Sequence, residues 1–299
     1  MTAEPPDFLL MGVVNVTPDS FSDGGLYLDP EAAIAHAIEL ESEGAAILDI
    51  GGESTRPGAL GVSAVDELER VIPVIEGLLG AGTRARISID TSKCRVAAVA
   101  LDAGASYVND VTAFRHNPEM AALVAERGAD CCLMHMLGDP RTMQDDPRYD
   151  DVVSEVKAFL EERMAFAIGQ GVAEERIMLD PGIGFGKTID HNLELLRRLG
   201  ELAALGRPVV IGTSRKSFLG RITGSDVGDR VFATIATNVL AYERGARVFR
   251  VHDVRPVRDA LAVTAATVLG RWPPPSPTTN QPTSTTSSTT TTRAAQSPR

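Results

Sequence analysis

The sequence predicts an α/β fold, a closed (β/α)8 barrel formed by a single domain over residues 7–272. Eight short apolar segments alternate with eight segments of helical period, and strands that alternate with helices are typically parallel. The length of this part of the chain is close to the roughly 250 residues that are typical of such a barrel. Polar and glycine-rich stretches follow nearly every strand-like segment, whereas the segments before the strands show no comparable stretches. That asymmetry is expected when binding loops gather at one face of a barrel.

The predicted strands are short and apolar, and the predicted helices are longer and amphipathic. The strands cover residues 8–14, 45–50, 86–90, 106–109, 131–135, 177–180, 208–212 and 247–252. The helices cover residues 30–43, 64–79, 95–102, 118–127, 151–168, 191–202, 230–244 and 256–269. Glycine follows several of these helices and proline opens others, as is usual at helix ends. A TIM barrel accounts for this order without a second domain, and a doubly wound open sheet is the alternative.

Composition excludes several classes of protein. The 299 residues carry a formal charge of −11, with 43% hydrophobic and 23% charged residues, which is typical of a soluble globular protein. No apolar run approaches the ~18 residues of a membrane-spanning helix, and the first residues lack the pattern of a secretory signal. We therefore expect no membrane partner. The acidic balance also argues against nucleic acid as the main partner.

The cysteines and the C-terminal composition add two further expectations. Cys94, Cys131 and Cys132 form an odd, sparse set without CxxC spacing, which argues against a disulfide framework or a structural zinc site. Reduced thiols in a cytoplasmic protein are the expected state. Residues 273–299 are almost all Pro, Ser and Thr, cannot bury an apolar face, and are expected to be a disordered tail.

Candidate binding residues lie where the predicted strands end. They are Asp90, Asn109, Asp180, Lys216, Arg250 and His252. Two carboxylates and an amide suit a flat heterocycle whose edges resemble urea or guanidine. Cationic side chains suit a phosphate-like group, and an arginine near a barrel centre is costly unless it meets an anion. The sequence therefore predicts a site for a heterocycle that carries phosphate, with three positive side chains in Lys216, Arg250 and His252.

Some of these residues also have structural interpretations. Asp90 has the alternative role of capping a helix that begins near Ser92. Glu53 has the alternative role of a buried partner of Arg56, and Arg215 that of a structural ion-pair residue. The sequence alone leaves these alternatives open.

Residues 181–188 are similar to a phosphate-binding P-loop but do not match one. The first glycine of that motif is replaced by Pro181, which lacks a backbone donor. The same segment fails as a dinucleotide fingerprint because Lys187 stands where the third glycine belongs. An ATPase or an NAD enzyme is therefore not expected.

Four segments resemble those of the dihydropteroate synthase family, the folate-pathway enzymes that sulfonamide drugs inhibit. They are residues 12–25, 134–144, 180–187 and 214–217, within a resemblance that spans residues 10–263. It implies the condensation of 6-hydroxymethyl-7,8-dihydropterin diphosphate with 4-aminobenzoate, giving 7,8-dihydropteroate and pyrophosphate. It also implies Mg²⁺ as cofactor and a homodimer.

The resemblance assigns roles residue by residue. The implied pterin site consists of Asp90, Asn109, Asp180 and Lys216, with Met134, Val111 and Arg250 against the ring. The implied diphosphate site consists of Asn15, Arg250 and His252, with Asn15 as the Mg²⁺ ligand. The implied aminobenzoate site consists of Thr55, Arg56, Pro57, Phe185, Lys216 and Ser217. The implied catalytic residues are Asp23, Asn15, Lys216, Arg250 and His252, and Asp23 stabilises a pterin-methyl cation while Phe21 and Ser22 close over the second substrate.

Two other functions remain as alternatives. Pterin-binding barrels of corrinoid methyltransferases share the fold and an Asp/Asn slot, but they need neither residues 15–25 nor residues 54–58. A paralogue that binds pterin and catalyses poorly is the second alternative, and an intact set of loops argues against it.

Overall fold

The computed structural model describes residues 7–17, 29–56, 58–59 and 61–270. In that part of the chain, eight parallel strands close into a barrel in sequence order, which confirms the predicted (β/α)8 fold. The strands are β1 Leu9–Asn15, β2 Ile47–Gly51, β3 Arg86–Asp90, β4 Tyr107–Asp110, β5 Asp130–Met134, β6 Ile177–Asp180, β7 Val209–Ile211 and β8 Ala246–Val251. The predicted disordered tail, residues 273–299, lies outside the described residues.

The helices follow the strands in the predicted order. They are α1 Pro30–Glu43, α2 Ala64–Gly80, α3 Cys94–Asp102, α4 Met120–Arg127, α5 Val152–Gly169, α6 Ile189–Arg197, α7 Leu199–Ala203, α8 Ser217–Thr223, α9 Val231–Glu243 and α10 Val254–Leu269. Two differences from the sequence prediction stand out: the sixth helix divides into α6 and α7, and the short α8 follows β7. None of the helices within the described residues is long and apolar enough to span a membrane.

Capping side chains set several helix starts. Asp29 caps α1 and Asp151 caps α5, in each case by accepting backbone N–H groups of the first turn. Thr188 caps α6 by accepting from the N–H of His191, whose ring reaches back to the Thr188 N–H. This reciprocal cap explains why α6 begins at Ile189, two residues before the predicted start.

Side chains of each strand alternate between the barrel interior and the surrounding helices. The interior cluster consists of Met11, Ile47, Tyr107, Cys132, Met178, Val210 and Val248. A larger apolar cluster lies between the strands and the helices, where Leu48, Ile50 and Phe249 are fully buried. The interior is therefore mostly a packed apolar core, and the polar side chains are concentrated toward the carboxyl ends of the strands.

The strand register brings four strand ends to one level. Asn15 of β1 is paired with Gly51 of β2, Gly51 with Asp90 of β3, and Asp90 with Asn109 of β4. On the opposite side, Asp180 of β6 is paired with Met134 of β5. The parallel register thus collects side chains distant in sequence at the carboxyl end of the barrel.

We predict that Gly52→Ala destabilises the barrel, because Gly52 joins β2 to its loop against α2. A Cβ atom there would lie 2.9 Å from Val71 Cγ1 and 3.2 Å from the backbone oxygen of Glu67. We expect a loss of about 1–3 kcal/mol in the free energy of unfolding, measured by urea denaturation. Gly80→Ala is the control, since a Cβ there has no neighbour within 4 Å. Equal stability of the two variants would contradict this packing argument.

Candidate active site at the carboxyl ends of the strands

The side chain of Asp49 organises the floor of the candidate site. It is fully buried on β2. Its Oδ1 accepts from Ser88 Oγ at 2.6 Å, and its Oδ2 accepts from Asn109 Nδ2 at 3.0 Å and from Arg250 Nε at 2.6 Å. Sequence reasoning did not single out Asp49. The available signal was an aspartate facing the barrel interior within an apolar strand, two residues before Gly51.

Arg250 lies between two carboxylates at the centre of the barrel mouth. Besides the contact with Asp49, its Nη2 donates to Asp90 Oδ2 at 2.8 Å. These charges raise the pKa of Arg250 despite its burial, so the guanidinium remains protonated. The anion that was expected to meet this arginine is therefore present in the protein itself, as a pair of aspartates.

The interpretation of Asp90 as a helix cap is wrong. Helix α3 begins at Cys94, and no side chain caps its N-terminus. Asp90 instead binds Arg250. Burial, followed by the charge of Asp49, raises the pKa of Asp90 to about 7, although the Arg250 charge opposes that rise. Asp90 therefore lies in an environment that already contains excess negative charge.

Asn109 and Asp180 present hydrogen-bonding atoms from opposite sides of the mouth. The contact with Asp49 uses the amide nitrogen of Asn109 and leaves Oδ1 as the acceptor of that side chain. Asp180 Oδ1 accepts from the Gly182 N–H at 2.7 Å, and burial raises the pKa of Asp180. Both residues are nearly fully buried at the ends of their strands.

Lys216 lies beneath the aromatic ring of Phe185. The Lys216 Nζ atom is 4.0 Å from the ring centroid, which is a cation–π geometry. Burial and the Arg250 charge lower the pKa of Lys216 to about 8. Gly184 permits this approach, because a Cβ at that position would lie 3.2 Å from Lys216 Cδ. The ammonium group therefore lies at the junction of the strand ends and the loop after β6.

One cavity brings most of the predicted residues together. Those that line it are Thr55, Asp90, Asn109, Val111, Met134, Asp180, Phe185, Lys216 and Arg250. The apolar members lie with Met136 and Met143 in a small cluster at the mouth. The cavity thus has polar edges and apolar walls, as a flat heterocycle requires.

The other predicted residues lie around this cavity or outside the described residues. Asn15 ends β1 at the same level as Asp90, and Ser217 opens α8 next to Lys216. Arg56 is exposed, and its charge contributes to lowering the pKa of Lys216. Asp23 and Pro57 lie outside the described residues, as do Phe21 and Ser22.

His252 differs from the prediction in its charge. Burial, followed by the charges of Arg215 and Arg250, lowers the pKa of His252 well below its ordinary value. Its Nδ1 atom lies 2.9 Å from Ser214 Oγ. His252 is therefore a neutral imidazole, and counting it among three positive side chains was wrong.

Two structural alternatives are resolved by ion pairs. Arg215 forms a two-point contact with Asp253 at 2.7 and 3.1 Å, which confirms the structural interpretation of this arginine. Glu53 binds Lys93 Nζ at 2.6 Å, so its ion pair is with a lysine that follows β3.

Comparisons with known proteins show the family of this chain. The sequence profile described as "Pterin binding enzyme" matches residues 11–252. The chain is 44% identical to the dihydropteroate synthase of Escherichia coli (strain K12), over 87% of this chain and 91% of that protein. It is 46% identical to the enzyme of Mycobacterium leprae (strain TN), over 86% of this chain and 92% of that protein.

Solved structures give the same result. A Yersinia pestis dihydropteroate synthase with a sulfonamide drug complex superposes with a TM-score of 0.85 at 40% identity, covering 90% of this chain and 99% of that chain. A Xanthomonas albilineans dihydropteroate synthase in complex with 7,8-dihydropteroate superposes with a TM-score of 0.79 at 45% identity, covering 90% and 95%. The fold and site define a barrel enzyme of the pterin-binding class. Within that class, the chain belongs to the dihydropteroate synthase family.

We predict that Asp49→Asn lowers the pKa of Asp90, because the charge of Asp49 contributes to raising it. The variant also weakens pterin binding, since the single amide oxygen of Asn cannot accept both from Ser88 on one side and from Asn109 and Arg250 on the other. Carboxyl ¹³C NMR titration of the ligand-free protein measures the pKa. Asp253→Asn removes a carboxylate that pairs with Arg215, outside the cavity, and is the control. An unchanged Asp90 titration in Asp49→Asn would rule out this coupling.

Proposed function

We propose that this chain condenses 6-hydroxymethyl-7,8-dihydropterin diphosphate with 4-aminobenzoate to form 7,8-dihydropteroate and release pyrophosphate. The observation that carries this proposal is the cavity at the strand ends, where buried Asp180 and Asn109 and half-buried Lys216 surround a slot with apolar walls. The membership of the chain in the dihydropteroate synthase family supports the same reaction.

The pterin ring would lie in this slot. Asp180, with one oxygen already used by Gly182, accepts from the guanidine-like N–H groups of the ring. Asn109 Oδ1 and Asp90 accept from further ring N–H groups, and Lys216 donates to a ring acceptor. Arg250 is fixed by Asp49 and Asp90, so its flat guanidinium stacks on the ring without having to be ordered first. Val111 and Met134 supply apolar contact with the ring.

The diphosphate would lie toward β1 and β8. Asn15 ends β1, and His252 follows β8, which pairs with β1. A neutral His252 whose Nδ1 accepts from Ser214 carries its proton on Nε2, and that N–H donates to a phosphate oxygen. Arg250 contributes positive charge on the same side. These contacts hold the leaving group in position.

We further propose Mg²⁺ as the cofactor, held by Asn15. Within the described part of the chain, no three side chains of His, Cys, Asp and Glu are grouped as a metal site. A single amide oxygen fits an ion that takes most of its ligands from substrate phosphates and water, as Mg²⁺ commonly does. When bound, the ion neutralises charge on the departing pyrophosphate.

The aminobenzoate would bind across the mouth from the pterin. Phe185 and Lys216 shape its subsite, and the hydroxyl of Ser217 at the start of α8 binds its carboxylate. Thr55 and Arg56 approach from the loop after β2, where Pro57 belongs to the same proposed subsite. The weakly basic amine of this substrate needs positioning more than it needs a strong base.

Charge at the floor of the site favours the reaction. The bond between the pterin methylene carbon and the diphosphate oxygen breaks first, which leaves positive charge on the pterin. Asp49 and Asp90 place carboxylates beside the guanidinium of Arg250 and beneath the ring, where negative charge stabilises the developing cation. Asp23 adds a carboxylate near the methylene carbon, while Phe21 and Ser22 exclude water. The amine then attacks that carbon and loses a proton.

We predict turnover that requires both substrates and Mg²⁺, measured by coupled detection of pyrophosphate and by chromatography of dihydropteroate. Asp23→Asn should lower kcat at least about tenfold while pterin affinity changes less than threefold, because the carboxylate acts on the cation formed during reaction. Asp229→Asn, which changes an exposed carboxylate in the loop before α9, is the control. Pterin binding without product would instead support the inactive paralogue.

We propose that two copies associate through the outer faces of α9 and α10. Helix α9 contains no charged residue before Glu243, and its Phe232 is 81% exposed. Val263 on the adjacent α10 is 68% exposed. Exposed apolar side chains on neighbouring helices are typical of an interface between subunits.

The expected mass in light scattering at micromolar concentration is that of a dimer. Phe232→Glu should shift the mass toward the monomer, since a buried unpaired charge opposes association. Val65→Glu, at another exposed apolar position on α2, should leave the mass unchanged. A monomeric wild-type chain would overturn the proposed homodimer.

We also propose a cytoplasmic location. Cys94, Cys131 and Cys132 are free thiols, and burial raises the pKa of Cys131 and of Cys132, which keeps both unreactive. Free thiols of this kind are typical of reducing compartments.

A further inference from the structure

Lys187 is a buried lysine that the proposed reaction does not use. It follows β6 in the loop of residues 181–188, and only 3% of its surface is exposed. Its Nζ atom lies 3.0 Å from the Gly182 oxygen, 3.0 Å from the Phe185 oxygen and 2.9 Å from His135 Nδ1. The ammonium therefore points back into its own loop and spans it from the second residue to the fifth.

Lys187 can keep its contacts with Gly182, Phe185 and His135 in either protonation state. Burial lowers the pKa of Lys187 to about 7 and that of His135 to about 2, so the imidazole is neutral. A charged Lys187 donates to two carbonyls and to His135 Nδ1. A neutral Lys187 donates to the same carbonyls and accepts from the other tautomer of His135. The hydrogen bonds of Lys187 can thus form at pH values below and above its pKa of about 7.

Several other polar groups of the loop are also paired. The Gly184 N–H donates to Asn192 Oδ1 at 2.7 Å, and the Gly184 oxygen accepts from Gln144 Nε2 at 2.7 Å. The Gly186 oxygen accepts from Tyr149 Oη at 2.8 Å. Gly182 lies so close to β5 that a Cβ atom would be 1.9 Å from the His135 oxygen. The loop is therefore a preorganised platform rather than a free turn.

We infer that Lys187, held by His135, is a positioning residue that fixes the loop so that Phe185 lies over Lys216 and shapes the aminobenzoate subsite. Phe185 has the largest side chain that this loop contributes to the cavity. Its carbonyl oxygen also accepts a hydrogen bond from Lys187. Asp180 interacts with the charge of Lys187, but its position is fixed by the pairing of β6 with β5. Loss of Lys187 should therefore affect the second substrate more than the pterin.

This inference rests on the proposed function, and the experiment separates the two. Steady-state kinetics with the full chain give KM for each substrate and kcat. Lys187→Met keeps the length of the side chain and removes its donors. We expect KM for 4-aminobenzoate to rise about tenfold, equivalent to about 1.4 kcal/mol, while KM for the pterin diphosphate changes less than about threefold. Lys157→Met, which removes an exposed lysine of α5, is the matched control and should change neither constant.

Variants of His135 keep the test decisive if Lys187→Met does not fold. An Asn side chain places a polar atom near the position of Nδ1, so His135→Asn should retain a KM near that of the wild type. His135→Leu removes the polar atom and should raise KM for 4-aminobenzoate several-fold. Equal effects of His135→Asn and His135→Leu, equal changes in both KM values, or a lower melting temperature with unchanged KM would each overturn the positioning role.

A wild-type chain without turnover would count against the proposed function itself. In that case, calorimetric titration of 4-aminobenzoate, with pterin and pyrophosphate present, provides the comparison between variants. Weaker binding in Lys187→Met and His135→Leu than in His135→Asn would uphold the inference, and equal or absent binding would overturn it.

Discussion

The ion pairs of Arg250 with Asp49 and Asp90 are the interaction on which the site depends. A guanidinium in the middle of a packed barrel would be prohibitively costly without carboxylates in direct contact. Asp49 supplies one of them and also orients Asn109 and Ser88, so one buried carboxylate determines the direction of several polar groups. These polar groups are consequently oriented before any ligand arrives, which lowers the cost of ordering them upon binding.

The barrel makes this arrangement possible through its register and its alternation of side chains. Parallel pairing places Gly51, Asp90 and Asn109 side by side, and the small Gly51 leaves room beside Asp90. The apolar interior beneath them withholds water, which is the reason that the pKa of Asp90 rises and that of Lys216 falls. The burial that forms the core therefore also shifts the pKa values of the charged groups at the carboxyl end of the barrel.

Much of this could be read from the sequence, because strand ends are visible as points where apolar runs give way to polar residues. Asp90, Asn109, Asp180 and Lys216 were identified in that way. Asp49 was not, since it lies inside an apolar run and its decisive partner is 201 residues away. Helix capping by Thr188 and the division of the sixth helix also depend on local hydrogen bonds that periodicity does not reveal.

The charge states of buried side chains were the property that the sequence predicted least well. The sequence counted His252 as a cation, whereas its burial beside Arg215 and Arg250 makes the neutral form the stable one. Lys187 was considered only for its place in a motif that it does not form. The reason is the same for both residues: the cost of a buried charge is set by neighbours that are distant in the sequence.

The span of the Arg250–Asp49 contact has a consequence for how the chain is made. Asp49 and Asp90 emerge from the ribosome early, whereas their cation belongs to the last strand, which closes the barrel by pairing with the first. Until that strand is synthesised, a partly folded intermediate would bury two carboxylates with no counterion. The carboxyl ends of the strands must therefore wait for the synthesis of β8 before they reach their native arrangement. Fragments that stop short of β8 become natural clients of chaperones and proteases.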